Sequence, residues 1–245
     1  MTSFLLNQLS EFILIHILSF FLGLSVIKFN IKVNYTRKIN HFFVFSLPYL
    51  LKLIFPFKET LATQILIAVI GLLTLVIYIN PIRGKIKLVQ LMFTAFDRPE
   101  DRPFTLRWLF LQYLLTYLVA IPLWLLFEKV GHTEAIFIII LINAIGDGLA
   151  EPIGVTWGRH KYKVKALFTS KLYTRSLEGS ACVFIVSLIV VFCFSSYFTF
   201  SQFIVAIITV PPVATIAEAK SPHTLDSPFI FLLTGIALWL VYYLF

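Results

Sequence analysis

Eight mainly apolar stretches, each close to the length a helix needs to cross a bilayer, follow one another through 245 residues with only short polar connections between them. They run roughly from Phe4 to Ile27, His41 to Phe57, Leu61 to Ile79, Thr105 to Phe127, Ala135 to Val155, Leu177 to Phe198, Phe200 to Ala217 and Pro228 to Leu244. Backbone polar groups in hydrocarbon must be satisfied within the protein, so such stretches fold as helices. The expected fold class is all-α: a polytopic membrane bundle of about eight transmembrane helices, forming a single integral membrane domain over residues 1–245. Composition agrees, since 59% of residues are hydrophobic and 26 are Phe, more apolar surface than one soluble core needs. The first stretch carries Asn7, Gln8 and Glu11 and has neither a basic start nor a small-residue cleavage site, so it reads as a span and not as a removable signal. Pro48 in the second stretch and Pro211 and Pro212 in the seventh predict tilted, broken or partly re-entrant helices there. Cys182 and Cys193 share the sixth stretch, which argues for packing and against a disulfide framework or zinc site.

Basic residues give the topology an orientation. Lys28, Lys32, Arg37 and Lys38 fall in the first loop, and Arg83, Lys85, Lys87, Arg98, Arg102 and Arg107 in the third. The fifth loop holds Arg159, Lys161, Lys163, Lys165, Lys171 and Arg175, and the seventh Lys220. The opposite loops hold only Lys58 and Lys129. Short cytoplasmic loops collect Lys and Arg, so both termini are expected to be non-cytoplasmic and the odd-numbered loops cytoplasmic. The net charge of +8 is thereby accounted for by topology and by anionic headgroups or phosphates, and nucleic acid is not an expected partner. Nor does anything in the chain imply a protein partner.

The acids sort to the same side. Asp147 and Glu151 approach the cytoplasmic end of the fifth stretch, Glu178 begins the sixth, Glu218 ends the seventh and Asp226 precedes the eighth. An acid at a helix N-terminus is an ordinary cap, but Glu218 sits at a C-terminus, where the helix dipole disfavours negative charge. Asp147 lies within the segment NAIGDGLAEPIGVTWG, residues Asn143 to Gly158, at a depth where an ionised carboxylate needs a partner, a metal or a wet cavity. In a regular helix Asn143, Asp147 and Glu151 form one polar stripe, and Pro152 removes the amide that would bond the Gly148 carbonyl, predicting a kink. Carboxylates able to hold Mg²⁺ (or Mn²⁺) beside Lys and Arg able to neutralise phosphate oxygens are the parts that phosphoryl transfer requires. Asp147, Glu151, Glu218 and Asp226 are the candidate metal ligands. A transporter would also use ionisable groups at a broken helix, but it predicts access from both faces, and here the acids gather on one.

These residues resemble a known family, the CTP-dependent polyprenol, phytol and dolichol kinases, distantly related to the CDP-diacylglycerol synthases. Arg37, Lys38 and His41 look like its early RK and His element. Gly146, Asp147, Ala150, Gly154 and Gly158 are similar to its spaced GD, A, G and G pattern; Ser176, Glu178, Gly179 and Ser180 to its S, EGS element; and Glu218, Asp226 and Pro228 to its late E, D and P element. Ser227 stands where the family usually has Asn, Arg175 where it usually has Lys, and the loop from His160 to Tyr173 is longer than usual.

The resemblance implies an integral membrane enzyme, its catalytic half at about residues 143–228, that moves the terminal phosphoryl group of CTP to the hydroxyl of a membrane alcohol at the cytoplasmic face. It implies Mg²⁺ as cofactor, CTP as co-substrate, and the bilayer and a lipid alcohol as partners. Asp147 would be metal ligand or base, Glu218 and Asp226 further metal or ribose contacts, and Glu178 an orienter of one of the cations. Arg159, Lys171 and Arg175 would hold the triphosphate. Gly146, Gly154, Gly158, Ser176 and Gly179 would line the nucleotide site, and Arg37, Lys38 and His41 would close it. A cytidylyltransferase that joins CTP to a phosphorylated lipid and a CTP-dependent diacylglycerol kinase are the neighbouring alternatives.

Overall fold

A computed structural model describes residues 2–166 and 171–245, and its chain divides into two compact units, Met1–Leu114 and Leu115–Phe245. The first unit contains α1 (Thr2–Phe29), α2 (Val33–Ile54), α3 (Leu61–Thr74, prolonged by a 3₁₀ turn to Tyr78), the short α4 (Asn80–Arg83), α5 (Lys87–Thr94) and the start of α6 (Thr105–Lys129). The buried face of α1 is partly polar, with Asn7, Gln8 and Ser19 beside Phe4 and Gly23. Polar groups in a membrane helix need partners. The Gln8 amide donates to Asn7 Oδ1 at 3.1 Å and to Glu11 Oε2 at 3.3 Å, and Ser19 donates to Asn40 Oδ1 on α2 at 3.1 Å. A Cβ on Gly23 would stand 2.1 Å from the Leu91 carbonyl oxygen, so only glycine allows α1 and α5 to approach this closely. Before α6 the repeated Asp-Arg-Pro tract closes on itself: Arg98 pairs with Asp101 at 2.7 Å, Arg102 with Asp97 at 2.8 Å, and Thr105 donates to Asp97 at 2.7 Å.

The second unit continues α6 and adds α7 (Ala135–Leu141), a π-helical turn (Ile142–Asp147), α8 (Gly148–Trp157), a hairpin of β1 (Lys161–Lys165) and β2 (Leu172–Ser176), α9 (Leu177–Cys193), α10 (Phe200–Lys220) and α11 (Asp226–Leu244). Its core is built from fully buried Val183 and Val191 on α9, Ala206, Val210 and Ala214 on α10, and Ile230 and Leu238 on α11. Small side chains on α10 let backbones pack closely without a hydrophobic driving force. The Trp239 indole N–H donates to the Leu126 carbonyl at 3.2 Å, tying α11 to the end of α6.

Among the described residues six helical segments are long and apolar enough to cross a membrane: Thr2–Phe29, Leu61–Tyr78, Thr105–Lys129, Ala135–Trp157, Phe200–Lys220 and Asp226–Leu244. The chain is therefore a multi-pass membrane protein of mainly α-helical fold. The sixth expected stretch forms the 17-residue α9, which is apolar but shorter than those six. The second stretch is part of α2, which starts eight residues before the expected His41 and so carries Arg37 and Lys38.

Three local expectations change. Helices α2 and α10 run unbroken through Pro48 and through Pro211 and Pro212, and α8 runs through Pro152. The irregularity of the fifth span lies one turn earlier, in the π turn that ends at Asp147. A π turn inserts a residue and shifts the helical phase, so Asn143, Asp147 and Glu151 do not form the regular stripe. Asn143 and Asp147 are buried, whereas Glu151 is half-buried. The third change is the basic loop after Trp157, which is an antiparallel hairpin. Its Lys-Tyr-Lys-Val-Lys tract has strand periodicity, which leaves Lys161, Lys163 and Lys165 exposed and buries Val164.

Candidate active site

Arg175 organises the site. It lies on β2, directly opposite Tyr162 on β1, and both project from the face of the hairpin that carries buried Val164. The Arg175 guanidinium pairs with Asp226, lies 3.5 Å from Glu218 Oε1, and donates to Ser221 Oγ at 3.1 Å from both terminal nitrogens. Ser221, fully buried, has a single proton for two acceptors, the Glu218 carbonyl at 2.8 Å and Asp226 Oδ1 at 2.7 Å. The other Glu218 oxygen, Oε2, accepts from Ser180 at 2.9 Å, and Ser180 Oγ is 2.8 Å from the Tyr162 hydroxyl. Burial alone would depress the Arg175 pKa, but Asp226, then Glu218, and more weakly Tyr162 and Asp147 outweigh it and raise the guanidinium above its ordinary value.

This arrangement explains how Glu218 can end α10. The dipole of that helix opposes an acid in the last turn, and a nearby guanidinium together with a serine donor offsets the effect. Asp226 is differently placed, as the first residue of α11, where the dipole favours it. Asp147, only 3% exposed, acts electrostatically on both Arg175 and Glu218, so the π turn brings it into the same charge cluster. Three of the expected carboxylates, on three separate helices, thus share one locus around Arg175. Just before Asp226, Thr224 is buried with φ 69°, a left-handed conformation that costs a β-branched residue energy and marks this turn as held by its surroundings.

The remaining candidates fall into different positions. Glu178 accepts from the His160 backbone N–H at 3.2 Å and lies 2.8 Å from His160 Nδ1, so it fastens the start of β1 and orients a histidine, not an arginine or lysine. Ser176 caps α9 by accepting from the Gly179 N–H at 3.1 Å. Gly154, Gly158 and Gly179 gather where α8 meets this cap: a Cβ on Gly158 would lie 2.8 Å from the Ser176 side chain, and one on Gly179 2.6 Å from the Ala150 carbonyl oxygen. Gly146 is less constrained, since a Cβ there would make ordinary contact with Val183 at 3.5 Å. Arg159 and Lys171 are exposed, with the Lys171 ammonium 5.0 Å above the Tyr173 ring, which in turn stacks on His223. Arg37, Lys38 and His41 lie on α2 in the first unit.

The packing at Gly179 makes a prediction. Gly179→Ala drives a methyl group into a backbone carbonyl that cannot rotate away, so about 1–3 kcal/mol of stability should be lost. A thermal melt in detergent should show the loss, and an unchanged melting temperature would mean that α8 and α9 do not need this approach.

Among the described residues no three His, Cys, Asp or Glu side chains gather closely enough to hold a metal ion by themselves. Mg²⁺ is commonly held by one or two carboxylates together with substrate phosphates. The donor set here fits that second arrangement: Asp147 on the π turn is within electrostatic reach of Glu218, and the oxygens of Glu218 and Asp226 already serve Arg175, Ser180 and Ser221.

Tyr162 and Ser221 were not among the expected site residues, and Ser180 entered only through its match to the EGS element. The signal for Tyr162 was the alternation in KYKVK, which places it on the opposite strand face from the lysines. Ser221 announced itself only by following Lys220 at the end of α10.

Comparison with known proteins adds one relative. The chain is 39% identical over 80 residues to a curated protein named phytol kinase from Synechocystis sp., an alignment covering 33% of this chain and 31% of that protein. The aligned stretch thus spans under a third of the relative's length. No family model and no solved structure matches the chain.

Proposed function

We propose that this protein is a CTP-dependent kinase of a membrane isoprenoid alcohol, such as phytol, dolichol or another polyprenol. The observation that carries the reading is the convergence of Asp147, Glu218 and Asp226 on Arg175 at the ends of apolar helices. The partial identity to a phytol kinase gives the acceptor class its direction. In the reaction the alcohol oxygen attacks the γ-phosphorus of CTP, the bond to the β–γ bridging oxygen breaks, and CDP leaves with that electron pair. The hydroxyl proton passes to a carboxylate.

Phosphoryl transfer leaves little covalent work to the protein, so positioning and charge dominate. Asp147 serves as the base or as a metal ligand, with Glu218 or Asp226 as its companion. Mg²⁺ held by these groups and by the phosphates would neutralise charge on the transferring group. Arg175 is close enough to the carboxylates to exchange part of its pairing for phosphate oxygens, and Arg159 and Lys171 are solvent-facing cations for the nucleotide tail. The bias of Lys and Arg among the loops supports a cytoplasmic position for this end of the helices, on the side of a soluble nucleotide.

The decisive assay uses γ-labelled CTP with phytol, a polyprenol and diacylglycerol, each in turn, and purified protein in detergent. Label is expected in an isoprenoid monophosphate. Label recovered in diacylglycerol phosphate would reassign the acceptor, label in pyrophosphate would identify a cytidylyltransferase, and equal transfer from ATP would remove the CTP preference.

A further inference from the structure

The two oxygens of Glu218 connect to two side chains of one hairpin, one directly and the other through a serine of α9. Arg175 on β2 faces Oε1 at 3.5 Å. Its cross-strand neighbour Tyr162 reaches Oε2 through Ser180, with separations of 2.8 Å from Tyr162 to Ser180 and 2.9 Å from Ser180 to Glu218. Ser180 donates to Glu218 Oε2, so its single proton is committed there. Tyr162 must then be the donor to Ser180. The chain has one polarity, from phenol to serine to carboxylate, and chains of this kind strengthen each link in a low-dielectric setting. Burial, and after it the charge of Glu218, raises the Tyr162 phenol above its ordinary pKa and keeps it a donor at neutral pH.

We propose that Tyr162 is a positioning residue: through Ser180 it fixes the plane of the Glu218 carboxylate, so that the β1–β2 hairpin sets the geometry of the phosphoryl-transfer site from both sides. The effect on turnover rests on the kinase reading, whereas the chain itself is a property of the fold. Tyr162 touches neither substrate nor metal in this role. Its loss should therefore act on kcat and leave nucleotide affinity nearly unchanged.

Four proteins test the proposal: wild type, Tyr162→Phe, Ser180→Ala and the double variant, each assayed for kcat, for KM of CTP, and for melting temperature in detergent. Tyr162→Phe should lower kcat about tenfold, the worth of a hydrogen bond to a charged network. KM for CTP should stay within about twofold. Ser180→Ala should lower kcat at least as much, and the double variant should be no worse than Ser180→Ala, because the serine links phenol and carboxylate. Val164→Ala, on the same buried face, serves as a packing control that should lower the melting temperature and spare kcat. Unchanged kcat in Tyr162→Phe, or fully multiplicative losses in the double variant, would overturn the proposal.

If wild type transferred no phosphoryl group from CTP, the kinase reading would fail separately. The chain would then be judged by the melting temperatures alone: non-additive shifts in the double variant sustain it, and additive shifts overturn it.

Discussion

Asp147→Asn is expected to lower CTP-dependent lipid phosphorylation about a thousandfold while leaving the melting temperature within a few degrees of wild type. Asn has the same shape, fits the same π turn and remains a hydrogen-bonding side chain, so the buried position stays filled. What it loses is the negative charge and the ability to accept a proton or bind a divalent cation with full strength. Asp147 is 3% exposed and acts on both Arg175 and Glu218. Removing its charge weakens one attraction and relieves one repulsion, and these oppose each other in stability. They do not oppose each other in catalysis, where both the base and the metal-ligand roles require the carboxylate. Single-turnover rates beside a melt of the same preparation check the prediction. Full activity in a folded Asp147→Asn enzyme would move the chemistry to Glu218 or Asp226.

Membrane helices were legible in the sequence because hydrocarbon solvates backbone so poorly that a long apolar run has one outcome. The acids were legible for the same reason, since a carboxylate at that depth is costly enough to stand out. What stayed hidden was phase. The π turn at Ile142–Asp147 rotates Asp147 out of register with Asn143 and Glu151, and no residue there encodes it as a proline encodes a kink. The breaks that the prolines offered did not form. Pro48, Pro152, Pro211 and Pro212 sit in helices that continue on either side of them.

The hairpin was hidden for a different reason. Five of the residues from Arg159 to Lys171 are basic, and charge density reads as a loop even when the spacing of Tyr162 and Val164 is that of a strand. Arg175 also acquires partners that were not legible: beside the expected phosphate role, the fold gives it two carboxylates brought from α10 and α11, forty-three and fifty-one residues further along the chain. Such long-range pairing is not encoded in any local pattern.

That pairing makes Arg175→Ala the change with the largest expected effect on the fold. Side-chain exposure is 12% for Arg175, 7% for Glu218 and 13% for Asp226, so water cannot replace the lost guanidinium. Breaking a buried ion pair by removing one partner costs about 3–5 kcal/mol, because the partner's charge is left without compensation. Here two carboxylates are left, with Asp147 nearby. A fall of about 10 °C in melting temperature is expected. Arg175→Lys should recover part of it, since an ammonium keeps the charge but cannot reach Glu218, Ser221 and Asp226 with one planar fork. The sharper test removes the charges on both sides. Adding Glu218→Gln and Asp226→Asn to Arg175→Ala should restore most of the lost stability, because a neutral cluster no longer needs the cation. Kinase activity should be absent from the restored protein. If Arg175→Ala melted like wild type, the carboxylates would be held by something other than the hairpin, and the account of how α10 and α11 present them would have to be rebuilt around that group.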